Sequence, residues 1–174
     1  MKRIEIHPSV YLAWNIANVE ACESGSPRTE PAHFLLATLI IIDGVFEDVA
    51  DAMSLSPETV RGIFDVAAQC RSVLQMSDDE ITAARRGLRG PLREQGNPVE
   101  TTALHRSGES RFIFQRAGRR TIQADADHLT LAHLLEEIIE HMPVIARPFF
   151  KSAPASTPKD VDEWPDYIVD DAKH

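Results

Sequence analysis

Moved by 100 positions, this chain lies on itself without a gap. Residues 30–39 read EPAHFLLATL and residues 130–139 read TLAHLLEEII. Ala17 falls on Ala117, Ala32 on Ala132, His33 on His133 and Leu35 on Leu135. Trp14 falls on Phe114, Leu12 on Phe112, Phe34 on Leu134 and Leu39 on Ile139. The agreement covers about 30 residues and lies in apolar character and helix boundaries more than in identity, as expected of a repeated helical unit. One such unit alone leaves an apolar face open, and two can cover each other. The pattern predicts an all-α fold in which two pseudo-symmetric helical repeats, about seven helices, form one compact domain.

Each repeat reads as helices from its own residues. Val10, Ala13, Trp14, Ala17 and Ala21 make one apolar stripe at helical spacing, and Leu12, Ile16 and Val19 give the same helix a second apolar side, so it should be largely buried. SGSP at 24–27 ends it. Pro31 suits the first turn of a second helix, with Glu30 or Thr29 as its cap. Phe34, Leu35, Leu36, Leu39, Ile40 and Ile42 make that helix apolar nearly all round, which places it centrally. Asp43-Gly44 turns the chain into a short third helix carrying Val45, Phe46, Val49, Ala50 and Met53. SLSPETV then starts a fourth: Ser56 caps, Pro57 takes the first helical position, and Val60, Ile63, Phe64 and Ala67 follow as the side that covers the bundle. Repeat one therefore spans 8–74. A shortened repeat two spans 109–150: a helix with Ile113, Phe114 and Ala117, a second capped by Thr130, and a short third element at PVIARPFF.

Two stretches stand apart. Residues 76–106 are rich in Arg, Gly and Pro and read as an insertion, helical at most from Asp78 to about Arg86. Residues 151–174 form an acidic, aromatic tail beyond the 1–150 domain. Pro154, Pro158 and Pro165 forbid one continuous helix there. Trp164, Tyr167, Ile168 and Val169 suit either an irregular strap folded over the second repeat, led by Trp164, or contact with a partner.

Composition narrows the function. Lys plus Arg is 18 and Asp plus Glu is 27, a net charge of −9. That balance opposes general binding to nucleic acid or to anionic membranes. The longest apolar run, around 34–42, is too short to span a bilayer, and the N-terminus does not read as a signal peptide. Cys22 and Cys70 form no CxxC and read as reduced thiols packed in helices. The expectation is a cytoplasmic protein.

The order of motifs, an Ala-xxx-Ala first helix, a turn, a capped xxHxLLxxL helix and then SLSPETVRGIF, resembles the N-terminal repeat of the Clp/Hsp100 chaperone ATPases. The likeness covers 8–74 as a complete copy and 109–150 as a shortened one. It implies a non-catalytic protein- or peptide-binding module that recruits unfolded or tagged substrates, adaptor proteins or a Clp ATPase. No GxxxxGK[ST] occurs, so neither binding nor hydrolysis of ATP is expected. In some bacterial relatives a glutamate just before the repeat histidine helps to bind phosphorylated arginine. Ala32 and Ala132 stand there, and weak or absent phosphoarginine binding is expected.

Individual residues follow. His33 and His133 sit at about the third position of their helices, where a side chain reaches back to free backbone groups. With Glu30 and Thr130 they are read as helix-start residues rather than metal ligands. His128 and His133 are five apart, the wrong spacing for one helical face, and HExxH is absent, so neither metal nor cofactor is expected. Ser107, His105 and Asp125 can be collected as a hydrolase triad, but nothing in their spacing requires them to meet. A helical enzyme without recognised motifs, or a stand-alone structural interaction protein, is the alternative. Arg85, Arg86, Arg89 and Arg93 read either as a solvated loop paired with the acids at 78–80 or as a dock for an acidic partner. Trp164 and Tyr167 are the other candidate partner contacts. Arg119 and Arg120 are accounted for by the dipole at a helix end.

Overall fold

A computed structural model describes residues 3–100 and 104–150. Trp164, Tyr167 and the expected tail strap lie outside the described residues. In chain order the elements are β1 (Glu5–Ile6), α1 (Pro8–Glu23), α2 (Pro31–Ile42), α3 (Glu47–Ala52), α4 (Pro57–Leu74), α5 (Asp78–Arg93), α6 (Gly108–Gln123), β2 (His128–Leu129), α7 (Leu131–Glu140) and a 3₁₀ helix (Val144–Phe149). The fold is all-α, with one two-stranded parallel ribbon.

Helix α2 is the centre. Every residue from Pro31 to Ile42 is buried. It packs against α1, α4, α5, α6 and α7. A helix apolar on all sides has no solvated face to offer, so its neighbours must enclose it. Its one hydroxyl, on Thr38, donates to the Phe34 carbonyl at 2.8 Å, which removes the cost of burying it unpaired.

The N- and C-terminal parts of the chain meet at two short extended crossings. Ile6 pairs with Leu129, and Thr29 with Arg106, both in parallel. Position 6 pairs with 129 and position 106 with 29: the same contact with the partners exchanged at an offset of 100. The hydrogen bonds follow suit. The His7 N–H donates to the Leu129 carbonyl at 2.9 Å, and the Ser107 N–H to the Thr29 carbonyl at 3.1 Å. Each crossing lies just before a helix start, where extended backbone leaves N–H and C=O groups that need partners.

Helix α5 outruns the end at about Arg86 expected within 76–106, and replaces the first part of the expected loop. It runs to Arg93, through Gly87, Gly90 and Pro91. Ser77 and Glu80 start it: the Ser77 N–H donates to the Glu80 carboxylate at 2.8 Å, and the Glu80 N–H to the Ser77 hydroxyl at 3.3 Å. Ile81, Ala84, Leu88 and Leu92 form a buried stripe against α2 and the 3₁₀ helix. Burying three large aliphatic side chains contributes about 1.5–3 kcal/mol each. That total, about 4.5–9 kcal/mol, is large enough to offset about 1 kcal/mol for each of the two glycines and about 3 kcal/mol for the proline. Gly87 also has a packing role, because a Cβ there would lie 2.4 Å from Cε1 of Phe149.

Two further expectations give way. Val19 is 52% exposed, so α1 has one solvated flank, and Phe64 on α4 is 49% exposed instead of covering the bundle. After α5 the chain crosses the end of α1, where the Val99 N–H donates to the Cys22 carbonyl at 2.9 Å. Gly25 permits the approach: its φ is +66°, and a Cβ would fall 2.1 Å from the Asn97 carbonyl oxygen. Gly25→Ala should therefore cost about 2 kcal/mol, in the range for left-handed strain combined with a clash. Gly44→Ala, at φ +73° with nothing within 4 Å, should cost about 1 kcal/mol. Equal melting temperatures for the two variants would remove the crossing's steric role.

Candidate functional site

The helix starts at 33 and 133 share a geometry. His33 Nδ1 accepts the Glu30 N–H at 2.9 Å, and His133 Nδ1 accepts the Thr130 N–H at 3.2 Å. The acceptor role of His33 Nδ1 leaves the ring proton on Nε2, which lies 3.0 Å from the Ser24 hydroxyl. Ser24 in turn donates to the Ala21 carbonyl at 3.0 Å. A chain of hydrogen bonds thus runs from the end of α1 to the start of α2 through a buried neutral imidazole. Burial lowers the His33 pKa to about 4. His133 is half-buried and its pKa is also lowered, first by burial. Both nitrogens of His33 are committed, so a metal would have to displace a cap.

At the first crossing His7 caps α1. Its Nδ1 accepts the Ser9 N–H at 3.1 Å, and the Ser9 hydroxyl accepts the Leu131 N–H at 3.2 Å. The rings of His7 and His128 lie 6.3 Å apart, edge to face, and His128 Nε2 is 3.3 Å from a Glu5 carboxylate oxygen. Burial, then His128, lowers the His7 pKa. At the second crossing Trp14, Phe34 and Phe114 form an aromatic trio with centroids 5.1–6.3 Å apart. The Arg106 guanidinium lies over Trp14 at 4.4 Å and over Phe114 at 4.6 Å.

The arginines expected on a loop are helical, and three of the four reach acids on neighbouring elements. Arg85 meets Asp43 at 2.7 Å. Arg89 and Arg93 meet the buried Glu20 at 2.6 and 3.4 Å. They fasten α5 to α1 and to the end of α2, so the acids at 78–80 are not the partners of these three, and neither Arg85 nor Arg89 is left over for an acidic ligand. Arg86 is exposed. The dipole account of Arg120 is also too small. Its guanidinium reaches Glu137 and Glu140 at 2.8 Å and Glu136 at 3.3 Å, while Arg116 meets Glu137 at 2.8 Å. This network pins α6 to α7. Glu20 and Glu137 were missed in the sequence, although an acid on a buried helix face signals a paired charge. Arg106 carried no such signal.

Among the described residues Glu137, Glu140 and His141 bring three ligand atoms within 4.8 Å of one another. Arg116 and Arg120 already hold both carboxylates, so the cluster's geometry is that of an ion-pair network. The hydrolase candidates do not converge. Ser107 caps the start of α6, its hydroxyl accepting the Ser110 N–H, and Asp125 lies past the other end. A helix of that length holds them about 24 Å apart. Cys22 and Cys70 are both free, and burial pushes the Cys70 thiol up to about 12. No helix among the described residues is long and apolar enough to cross a membrane. In comparisons with protein-family models, curated proteins and solved structures, nothing matches this chain.

Proposed function

We propose that the chain is a non-catalytic protein-binding module of the Clp N-terminal type, built as two pseudo-symmetric repeats. In this reading it takes unfolded or tagged proteins, or adaptor proteins, and presents them to a Clp ATPase in the cytoplasm, with no part in nucleic-acid or membrane binding. The observation that carries the reading is the exchanged pairing of 6 with 129 and of 106 with 29, joined to histidine-started helices at 33 and 133. A duplicated helical unit, interlocked with its copy, has this relation between its contacts. The enzyme alternative is weaker because its one candidate triad is pulled apart along α6. Ala32 and Ala132, both buried, offer no carboxylate to phosphoarginine.

The test is aggregation of a chemically unfolded protein followed by light scattering. The intact chain should suppress it at near-stoichiometric amounts, without ATP. Undiminished aggregation, together with no association with a Clp ATPase, would contradict the proposal.

A further inference from the structure

Where Phe46, just before α3, meets Phe64 of α4, exposed apolar side chains and exposed carboxylates lie on neighbouring residues. Phe64 is 49% exposed and Val45 55%. Phe64 stacks at 5.2 Å on Phe46, which is buried, so the exposed ring is seated on the core. Glu47, Asp48 and Asp51 line the six-residue α3, and Asp65 follows Phe64; all four are exposed. Arg61, one turn before Phe64, is the opposing charge on α4.

Three kinds of occupant can be weighed by charge. Residues 151–174 hold Lys151, Lys159 and Lys173 against Asp160, Asp162, Glu163, Asp166, Asp170 and Asp171, so 3 − 6 = −3. The tail's aromatic part lies among those acids, and carboxylates on both sides repel. A second copy is disfavoured likewise: a twofold contact sets the same acidic face against itself, on a chain of net charge −9. A cationic segment with large apolar side chains matches both features, the apolar groups covering Phe64 and Val45 and the cations meeting the rim. We infer that the α3–α4 face docks a basic, apolar-anchored peptide segment of a partner protein. The inference rests on the protein-binding reading and names the chemistry of what is bound.

The test titrates the intact chain with three short labelled peptides. One is rich in Lys, Leu and Phe; one keeps the lysines but carries Ala for Leu and Phe; one carries Glu for Lys. The first should bind, and the other two at least about tenfold more weakly. Phe64→Ser should weaken the first by about tenfold, as should the pair Asp48→Lys and Asp51→Lys. Because Phe64 is half-exposed, its variant should fold, which circular dichroism checks. The inference is overturned if Phe64→Ser leaves affinity unchanged, if the alanine or glutamate peptide binds equally well, if a free peptide of residues 151–174 competes, or if Phe64→Ser abolishes a dimer. Suppression of aggregation by the intact chain that survives Phe64→Ser sinks this inference alone. Undiminished aggregation with the unmutated chain, together with no association with a Clp ATPase, sinks both.

Discussion

Acidification from about pH 7 to about pH 4 should remove about 3 kcal/mol of stability through His33 alone. The unfolded chain takes up a proton on this ring near the usual pKa of 6.5, whereas the folded chain refuses it until about 4. Between those values the unfolded state binds more protons, so stability is complete above 6.5 and falls as the pH drops. The physical cause is specific. A second ring proton would land on Nδ1, against the Glu30 N–H that this atom accepts, inside a site that is 1% exposed. His33→Gln separates this from the titration of carboxylates, because glutamine at the third helical position can also reach back to the cap N–H. That variant should stay folded near neutrality and lose the His33 share of the acid slope. His33→Ala should cost about 2 kcal/mol even at neutral pH, with the cap on the Glu30 N–H lost and the Ser24 hydroxyl deprived of the donor it accepts from. Urea melts across the pH range measure all three. An unchanged slope in His33→Gln would show that His33 is not the proton-linked group.

Phe34→Ala should be the most damaging single truncation, at about 3–5 kcal/mol. The ring is 1% exposed and touches Trp14 from α1 and Phe114 from α6. Its removal opens a cavity where the N- and C-terminal parts of the chain meet, and neighbours anchored on three helices cannot all collapse into it. Trp14 loses a wall, so its fluorescence should shift to the red in the folded variant. Phe64→Ala, at the same chemistry, should cost less than about 1 kcal/mol, because half of that ring is already in water. A small loss for Phe34→Ala, or equal losses for both, would move the centre of the core elsewhere.

The central helix and the helix starts at 33 and 133 were legible because they rest on local signals: an unbroken apolar run, a proline at the first position, and a histidine within reach of its own cap. Helix α5 was not. Its glycines and Pro91 speak against a helix locally, and the stripe Ile81, Ala84, Leu88 and Leu92 outweighs them only once α2 and the 3₁₀ helix are present to cover it. The arginines were misplaced for the same reason. Arg89 finds Glu20 at a separation of 69 residues, a pairing that no spacing rule can register. Val19 and Phe64 erred the other way: an apolar residue at helical spacing is buried only if a neighbour arrives, and at those two flanks none does. The exchanged crossings were half-legible. The offset of 100 could be read, but which turn meets which is decided by the packing.

Fluorescence anisotropy of a labelled, reduced and alkylated protein, titrated with the intact chain without nucleotide, tests the binding-module account most directly. The account predicts saturable association, at least about tenfold tighter than for the same protein in its native form, with the ligand recovered chemically unchanged. Equal affinity for native and unfolded forms, no association at all, or a covalently altered ligand would contradict it.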